Sequence, residues 1–568
     1  MLSNLPIARS AGARAFFFAS VIVTLAIMFW IPHVSSHGLT ASFFVLFARL
    51  DRFAALGMML ILLIAAFISA RSFAAVPGWV GKHPLPIALA AGILLCAGSL
   101  LIYENHPLSM DEYAQLFQSE VFAHGRLTGQ FPVPLLDWLV PSFFQNQFLV
   151  ISRSTGALIS GYWPSFALLL TPFTWLGISW ACNPIISALT LVVIHRLALR
   201  LFHSEEAAGL AVLLTAASPV YFANGISYYS MPAHLLANCV YALLLLEPTP
   251  RRALLAGVIG SVALTLHNPV PHLLFAIPWI LLTAARPAGL RLLGWLLIGY
   301  APLCALLGLG WFWFSSGLSH GAAASVGGLG AQADSLQQIA GIFSLPSATL
   351  VLARIIGIAK IWLWAVPGLI VLACVGAWRW RRHGACLALA ASAVLTLLGY
   401  FLVPVDQGHG WGYRYFHSAW VALPLLAAAA FSRPPDTEPR SCVFDNIETR
   451  TLVVACALLT LVLGIGLRAI QIRGFITMDT QQVPSYGGSE RRVVLIDVSH
   501  SFYGQDLVQN DPWLRGDVIR MISHGEEADA TMMREQFPKM HRVYQDSHGS
   551  VWSATSASAV SDRAGKGI

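Results

Sequence analysis

The chain has 568 residues, of which 57% are hydrophobic and 11% charged, and its mean hydropathy is +0.67. Soluble proteins carry about 25% charged residues, so this composition excludes a soluble globular protein. The formal charge of +7 does not mark a nucleic-acid binder, because residues 471–568 hold 10 basic and 12 acidic side chains and the excess sits in the apolar part, where basic loops report membrane topology. Charge density also divides the chain, with 22 of the 61 Asp, Glu, Lys and Arg side chains falling after residue 470. We read an all-α polytopic membrane domain over 1–470, a small α/β extracytoplasmic domain over 471–553 and a disordered tail over 554–568.

A spanning helix needs roughly 17 to 25 mostly apolar residues. Arg9 and Arg14 precede the first run, Ala15–Ile31, which lacks a small-residue cleavage site and reads as an uncleaved signal anchor. A stretch from Leu39 to Leu50 reads as an interfacial helix, and Ala54–Ala70 and Leu85–Tyr103 follow it. Pro184–Leu201, Ala207–Phe222, Met231–Leu246, Ala253–Leu266, Val270–Ala284, Leu290–Phe314, Ile361–Ala377, Cys386–Val403, Ala419–Phe431 and Thr451–Leu467 complete about thirteen spans. Arg71 and Lys82, Arg196 and Arg200, Arg251 and Arg252, Arg286 and Arg291, Arg379 to Arg382, and Arg433 with Arg440 fall on the same side as the N-terminus. The positive-inside rule makes that side cytoplasmic and puts the C-terminal domain outside. The eight cysteines form no disulfide or metal framework by spacing.

Three outer segments, 104–183, 315–354 and 404–418, are too long or too polar to be simple turns. The first opens with Ser109-Met110-Asp111-Glu112-Tyr113, two carboxylates close to a membrane span, where charge is costly and functional by default. A structural alternative is a capping box from Ser109 and Glu112. On a helix from Met110, Tyr113, Leu116, Phe117 and Val121 form an apolar stripe while Asp111, Gln115, Gln118 and Ser119 point the other way. Such a helix is expected on the membrane surface, with its N-terminus favouring ionised Asp111 and so suiting that residue to be a general base.

Met110-Asp111-Glu112-Tyr113, then Val121-Phe122-Ala123-His124-Gly125-Arg126-Leu127 and Gly161-Tyr162-Trp163-Pro164, resemble the first outer loop of polytopic GT-C glycosyltransferases. The likeness is to the protein O-mannosyltransferase and aminoarabinose transferase superfamily, over roughly residues 85 to 420. It implies a GT-C-like fold, a bacterial inner-membrane location, a sugar donor on a polyprenyl phosphate, Asp111 as catalytic base and Glu112 as its neighbour. Two spans precede the one leading to the acidic pair, where those relatives usually have one.

A sugar leaving from a lipid phosphate needs cations where charge develops. Arg414 in Gly408-His409-Gly410-Trp411-Gly412-Tyr413-Arg414 is the first choice, with His409 and Tyr413 beside it; a snorkelling Arg in an aromatic belt is the alternative. Arg354 and Lys360 at the start of the tenth span, and Arg126 and Arg153 in the first loop, are further phosphate ligands to consider. His267 and Asn268, with His272 nearby, are placed for donor contact or for purely structural hydrogen bonding. Nothing in the spacing of His267, His272, His409 and His417 fixes a metal geometry, so no metal is assigned. No cofactor is expected, because the donor arrives activated. Expected partners are the polyprenyl-phosphate sugar, membrane lipid and an unidentified glycan, lipid or protein acceptor, with no nucleic acid. A transporter or lipid flippase and a surface-glycan polymerase or ligase are the competing functions, though no internal repeat of the transporter kind is visible.

Overall fold

Hydrocarbon offers the backbone no hydrogen-bond partner, so long apolar runs close their own bonds as helices. The computed structural model describes residues 10–35, 42–68, 71–323, 346–403, 407–434, 446–484, 490–499 and 501–554. Arg9, Arg440, Cys442 and the expected disordered tail beyond Ala554 lie outside the described residues. Among the described residues, seven helices are long and apolar enough to cross a membrane: Ala11–Val34, Ser42–Ile68, Pro84–Leu101, Ser179–Phe202, Gly289–Leu318, Gly384–Leu402 and Ile447–Thr480. Ser165–Trp175, Met231–Leu245, Val270–Ala284 and Leu369–Arg379 are shorter apolar helices. At 1.5 Å per residue these four are each shorter than a full crossing.

Three expectations are corrected. Residues 42–68 are continuous through a π-helical turn, Phe47–Asp51, so no separate interfacial helix precedes the second span. The run expected over Ile361–Ala377 is two helices, Ala348–Leu363 and Leu369–Arg379. Pro367 and Gly368 separate them; Gly368 has φ +75°, and a Cβ there would lie 2.3 Å from the Phe16 ring, so only glycine fits. Finally, Glu205–Ala216 and Pro219–Gly225 meet at 64°, breaking the run expected over Ala207–Phe222 at Ser218-Pro219.

The chain divides into two compact units. The larger comprises Met1–Tyr103, Trp180–Gly308 and Asp334–Ile472. Its interior is mostly Ala, Leu and aromatic side chains, but it also buries Asp51, Lys360 and Arg468. Asp51 accepts from Arg468 at 2.7 Å, from Lys360 at 2.9 Å and from the Trp364 indole at 2.9 Å.

The smaller unit comprises Glu104–Ser179, Leu309–Ala333 and Arg473–Ile568. Its four-stranded sheet runs Val518–Ile522, Arg492–Ile496, Gly549–Ser553, His541–Asp546 in spatial order. The first pair is parallel, with Leu495 opposite Met521, and the others are antiparallel. One sheet face, with Val493, Leu495 and Met521, packs into a core shared with Met110, Tyr113, Phe117 and Val121 of helix Met110–Ala123. The other face, with Val494 and Ile496, packs on Leu507 and Val508. The first outer segment and the C-terminal strands thus share one core, although more than 300 residues separate them in sequence.

Candidate active site

Helix Met110–Ala123 starts where the sequence predicts and carries the predicted apolar stripe, yet its other side is not a wet surface. Gln115, Gln118 and Ser119 are all buried. Gln118 donates to the Leu127 carbonyl at 3.1 Å and accepts from the Ser160 amide at 2.9 Å; Ser119 lies 2.8 Å from the Thr174 hydroxyl. The helix is therefore an internal element of its unit, and the expectation that its polar side faces outward is corrected. Tyr113 anchors it further, donating to the Asn510 carbonyl at 2.6 Å and accepting from the Asn510 amide at 2.9 Å.

The first amides of a helix lack intrahelical partners. Here Asp506 accepts from the Met110 amide at 2.8 Å, and Glu112, fully buried, accepts from the Leu108 amide at 2.7 Å. Glu112 thus takes the structural half of a capping role. Asp111 is half-buried and accepts a hydrogen bond from the Tyr162 hydroxyl. Tyr162 is itself positioned by its backbone, whose carbonyl accepts from the Trp311 indole at 3.1 Å. Three carboxyl groups therefore gather at one helix N-terminus. Burial pushes the Asp506 carboxyl well above the usual carboxylate range, and neighbouring Asp479, Asp111 and Glu112 add to the rise, while the Met110 N–H opposes it.

Gln115 lies one helical turn beyond Asp111, on the same side. It is 1% exposed, and among the described residues neither its amide nitrogen nor its oxygen has a hydrogen-bond partner. A buried polar group left unpaired costs about 1–3 kcal/mol, so this carboxamide is placed for a polar group that the protein alone does not supply. The sequence reading missed three of these features. Tyr162 stood in the quoted Gly-Tyr-Trp-Pro motif without a role, Gln115 was read only as part of a polar face, and Asp506 carried no local signal at all.

In the larger unit the structure gathers a second group. Arg414 is buried with its guanidinium 4.2 Å from the Tyr229 ring centroid, and it donates to the Gln407 carbonyl while its amide donates to the Gln407 side chain at 2.8 Å. Gly410, at φ +117°, lets the backbone turn over this side chain, since a Cβ there would lie 2.4 Å from Arg414 Cδ. Arg354 is also buried, donating to the carbonyls of Tyr400 and Val403 at 2.7 Å each and sitting 5.1 Å from the Tyr415 ring. Tyr400 stacks on Tyr415 at 4.3 Å and lies within the fields of both arginines and of Tyr413. His409 and Tyr413 are buried in the same loop.

The remaining expected residues lie elsewhere in their own units. Lys360 is taken up by Asp51, so its charge is already engaged. Arg126 is exposed over the Trp513 ring at 5.4 Å, and Arg153 pairs with Asp137 at 2.8 Å. Asn268 lies 2.7 Å from His267 and accepts from the Val270 amide at 3.1 Å, a helix-start contact. His272 contacts Asn238 and Tyr300, each at 2.7 Å. His267, His272 and His417 are electrostatic neighbours of His234, a fully buried imidazole that the sequence reading did not single out. Among the described residues, no group of three or more His, Cys, Asp or Glu side chains is arranged to hold a metal ion.

No family model matches the chain, and no curated protein matches it. Among solved structures the chain is similar to ArnT from Cupriavidus metallidurans bound to undecaprenyl phosphate, with 12% identity, a TM-score of 0.48, and coverage of 82% of this chain and 97% of that one. It is also similar to the same protein in the apo state, with 13% identity, a TM-score of 0.49, and coverage of 85% and 99%.

Proposed function

We propose that this chain is an integral membrane glycosyltransferase that takes a sugar from a polyprenyl-phosphate donor and passes it to an acceptor hydroxyl at the outer face of the bacterial inner membrane. The observation that carries the reading is Asp111, a half-buried carboxylate at a helix N-terminus with the Tyr162 hydroxyl on one oxygen. In the proposed step the acceptor oxygen bonds to the anomeric carbon while its proton passes to the Asp111 carboxylate. The bond from that carbon to the phosphate oxygen breaks, and the electron pair leaves on the phosphate. Tyr162 orients the base, Glu112 holds the backbone that presents it, and the adjacent Gln115 amide binds a hydroxyl of a sugar. Arg414 and Arg354, with His409 and Tyr413, are the proposed phosphate ligands, because a guanidinium in a low-dielectric site stabilises developing anionic charge strongly. His267 and Asn268 are proposed for donor contact, and Arg126 as a further phosphate ligand. Lys360 is left out, since Asp51 already holds it.

The test is reconstitution of the full chain in vesicles with a radiolabelled polyprenyl-phosphate sugar and a cell-envelope acceptor extract. Wild type is expected to transfer label, and Asp111→Asn to lose about 10²–10⁴-fold of the rate while keeping its melting temperature. Transfer at wild-type rate by Asp111→Asn overturns the reading. Movement of the labelled lipid across the vesicle without transfer favours the flippase instead.

A further inference from the structure

The basic connections of the larger unit carry more arginines than their helix ends use. Arg379 donates to the Ala430 carbonyl, Arg381 donates to the Trp378 carbonyl at 2.9 Å, and Arg252 holds the Glu247 carboxylate at 3.2 Å and its carbonyl at 3.0 Å. Each of these offsets the partial negative charge of a helix end or a nearby acid. Arg200, Arg286 and Arg433 differ. Among the described residues, none of their guanidinium groups is in a hydrogen bond or an ion pair. All three line one cavity of about 530 Å³, a volume within the range of single-ligand sites. Arg200 and Arg433 are exposed and Arg286 is half-buried, so a solute in the cavity can reach them. Glu247 is the acid in the same wall and lies in the field of Arg286, but Arg252 already holds it. Counting it in full still sets three cations against one anion.

The rest of the wall is fixed by packing. Trp380 is buried, its indole donates to the Ala429 carbonyl at 3.0 Å, and the rings of Phe202 and His383 meet it edge-on at 5.1 and 5.3 Å. Leu282 packs over Gly384, where an added Cβ would lie 2.8 Å from a Leu282 methyl. Gly384 also opens helix Gly384–Gly399, whose N-cap residue, His383, supplies no side-chain cap. The first amides of a helix lack intrahelical partners and carry partial positive charge, and Gly384 and Ala385 lie in this wall. Three guanidinium groups and a helix start therefore face the same space. Like charges held together repel, and an anion placed among them relieves that repulsion. Guanidinium groups pair with phosphate oxygens through two parallel N–H bonds, and basic pockets between membrane helices suit phosphorylated head groups.

We infer that this cavity binds a phosphate group, held by Arg200, Arg286 and Arg433 with the start of helix Gly384–Gly399 behind it. Phosphate matches the wall because it is compact, anionic and accepts hydrogen bonds from several directions at once. A lipid head group and a soluble phosphate ester share that chemistry. None of the lining residues is assigned a part in the proposed transfer reaction, so the inference stands apart from it.

Native mass spectrometry of the full chain, with two pairs of probes that differ only in the phosphate, tests it. The pairs are dioleoylphosphatidic acid against dioleoylglycerol, and glycerol 3-phosphate against glycerol. Wild type is expected to retain the phosphorylated member in preference to its partner. Preference in the lipid pair alone assigns the site to a head group, and preference in the soluble pair extends it to free phosphate esters. Arg286→Gln and the more exposed Arg433→Gln should each weaken that preference about tenfold. Arg381→Gln, in the same basic connections but outside the cavity wall, should leave it unchanged. No preference in either pair overturns the inference, as does a preference that survives intact in both Arg286→Gln and Arg433→Gln. An equal loss in Arg381→Gln also overturns it, because the binding then belongs to the basic connections at large.

Discussion

Each unit gathers charged groups in a buried place, and they handle them in opposite ways. In the larger unit Asp51 is matched by Lys360, Arg468 and the Trp364 indole, so both of its oxygens face a cation. In the smaller unit Asp111, Glu112 and Asp506 crowd one helix start, with like charges as neighbours. Glu112 and Asp506 bind backbone amides there, and Asp111 alone remains half-buried. An acid held on both oxygens by buried cations ties helices together. An acid among acids, at a helix N-terminus, is costly to the fold, and the proposed base is the one of them that is not fully buried.

The comparison can be broken at either end. Asp111→Asn should remove about 10²–10⁴-fold of transfer with an unchanged melting temperature; a large loss of stability would make Asp111 structural, like Asp51. Asp51→Asn strands two buried cations, and the cost expected for breaking a buried pair is about 3–5 kcal/mol. Thermal unfolding of the detergent-solubilised chain measures it, and a shift of only a degree or two would show that the cluster is already compensated by something other than Asp51.

Glu120 sharpens the contrast. Burial, helped by nearby Asp511, pushes its carboxyl from 4.5 up to about 7. The folded state holds this proton more tightly than the unfolded chain does. The resulting stabilisation is complete below about pH 4.5 and fades as pH rises to about 7, a loss of about 3 kcal/mol. Hydrogen-exchange protection of helix Met110–Ala123, measured relative to the intrinsic rate at each pH, should fall over that window in wild type and stay constant across it in Glu120→Gln. The smallest effect is expected at Gln115, where replacing an unpaired buried carboxamide with Leu should raise stability by about 1–3 kcal/mol. The same Gln115→Leu variant should raise KM for the sugar substrate more than it lowers kcat. A variant less stable than wild type, with its KM unchanged, would refute the binding role.

Much of the membrane body was legible from composition alone. Runs such as Ala15–Ile31, Leu85–Tyr103 and Cys386–Val403 reappear as helices with bounds shifted by a few residues. They are legible because hydrocarbon forces a local answer: each segment satisfies its own backbone bonds. Errors fell at Pro367-Gly368 and at Ser218-Pro219, where hydropathy averages across a break that a single residue makes. In the site, the helix over Met110–Ala123 and its acidic start were also readable, since caps and stripes are patterns of three and four residues.

What the sequence by itself determined, then, is what depends on neighbours along the chain: the apolar helices, their basic loops, and Asp111-Glu112 at a helix start. Only the tertiary structure decided the rest. It brought Tyr162 to Asp111 across 51 residues, Asp506 to Met110 across 396 and Arg468 to Asp51 across more than 400. It also turned the polar side of helix Met110–Ala123 inward and left Gln115 buried without a partner. The reason is physical: whether a charge is saturated or available depends on the distances and burial of groups far apart in sequence, and no local pattern encodes those.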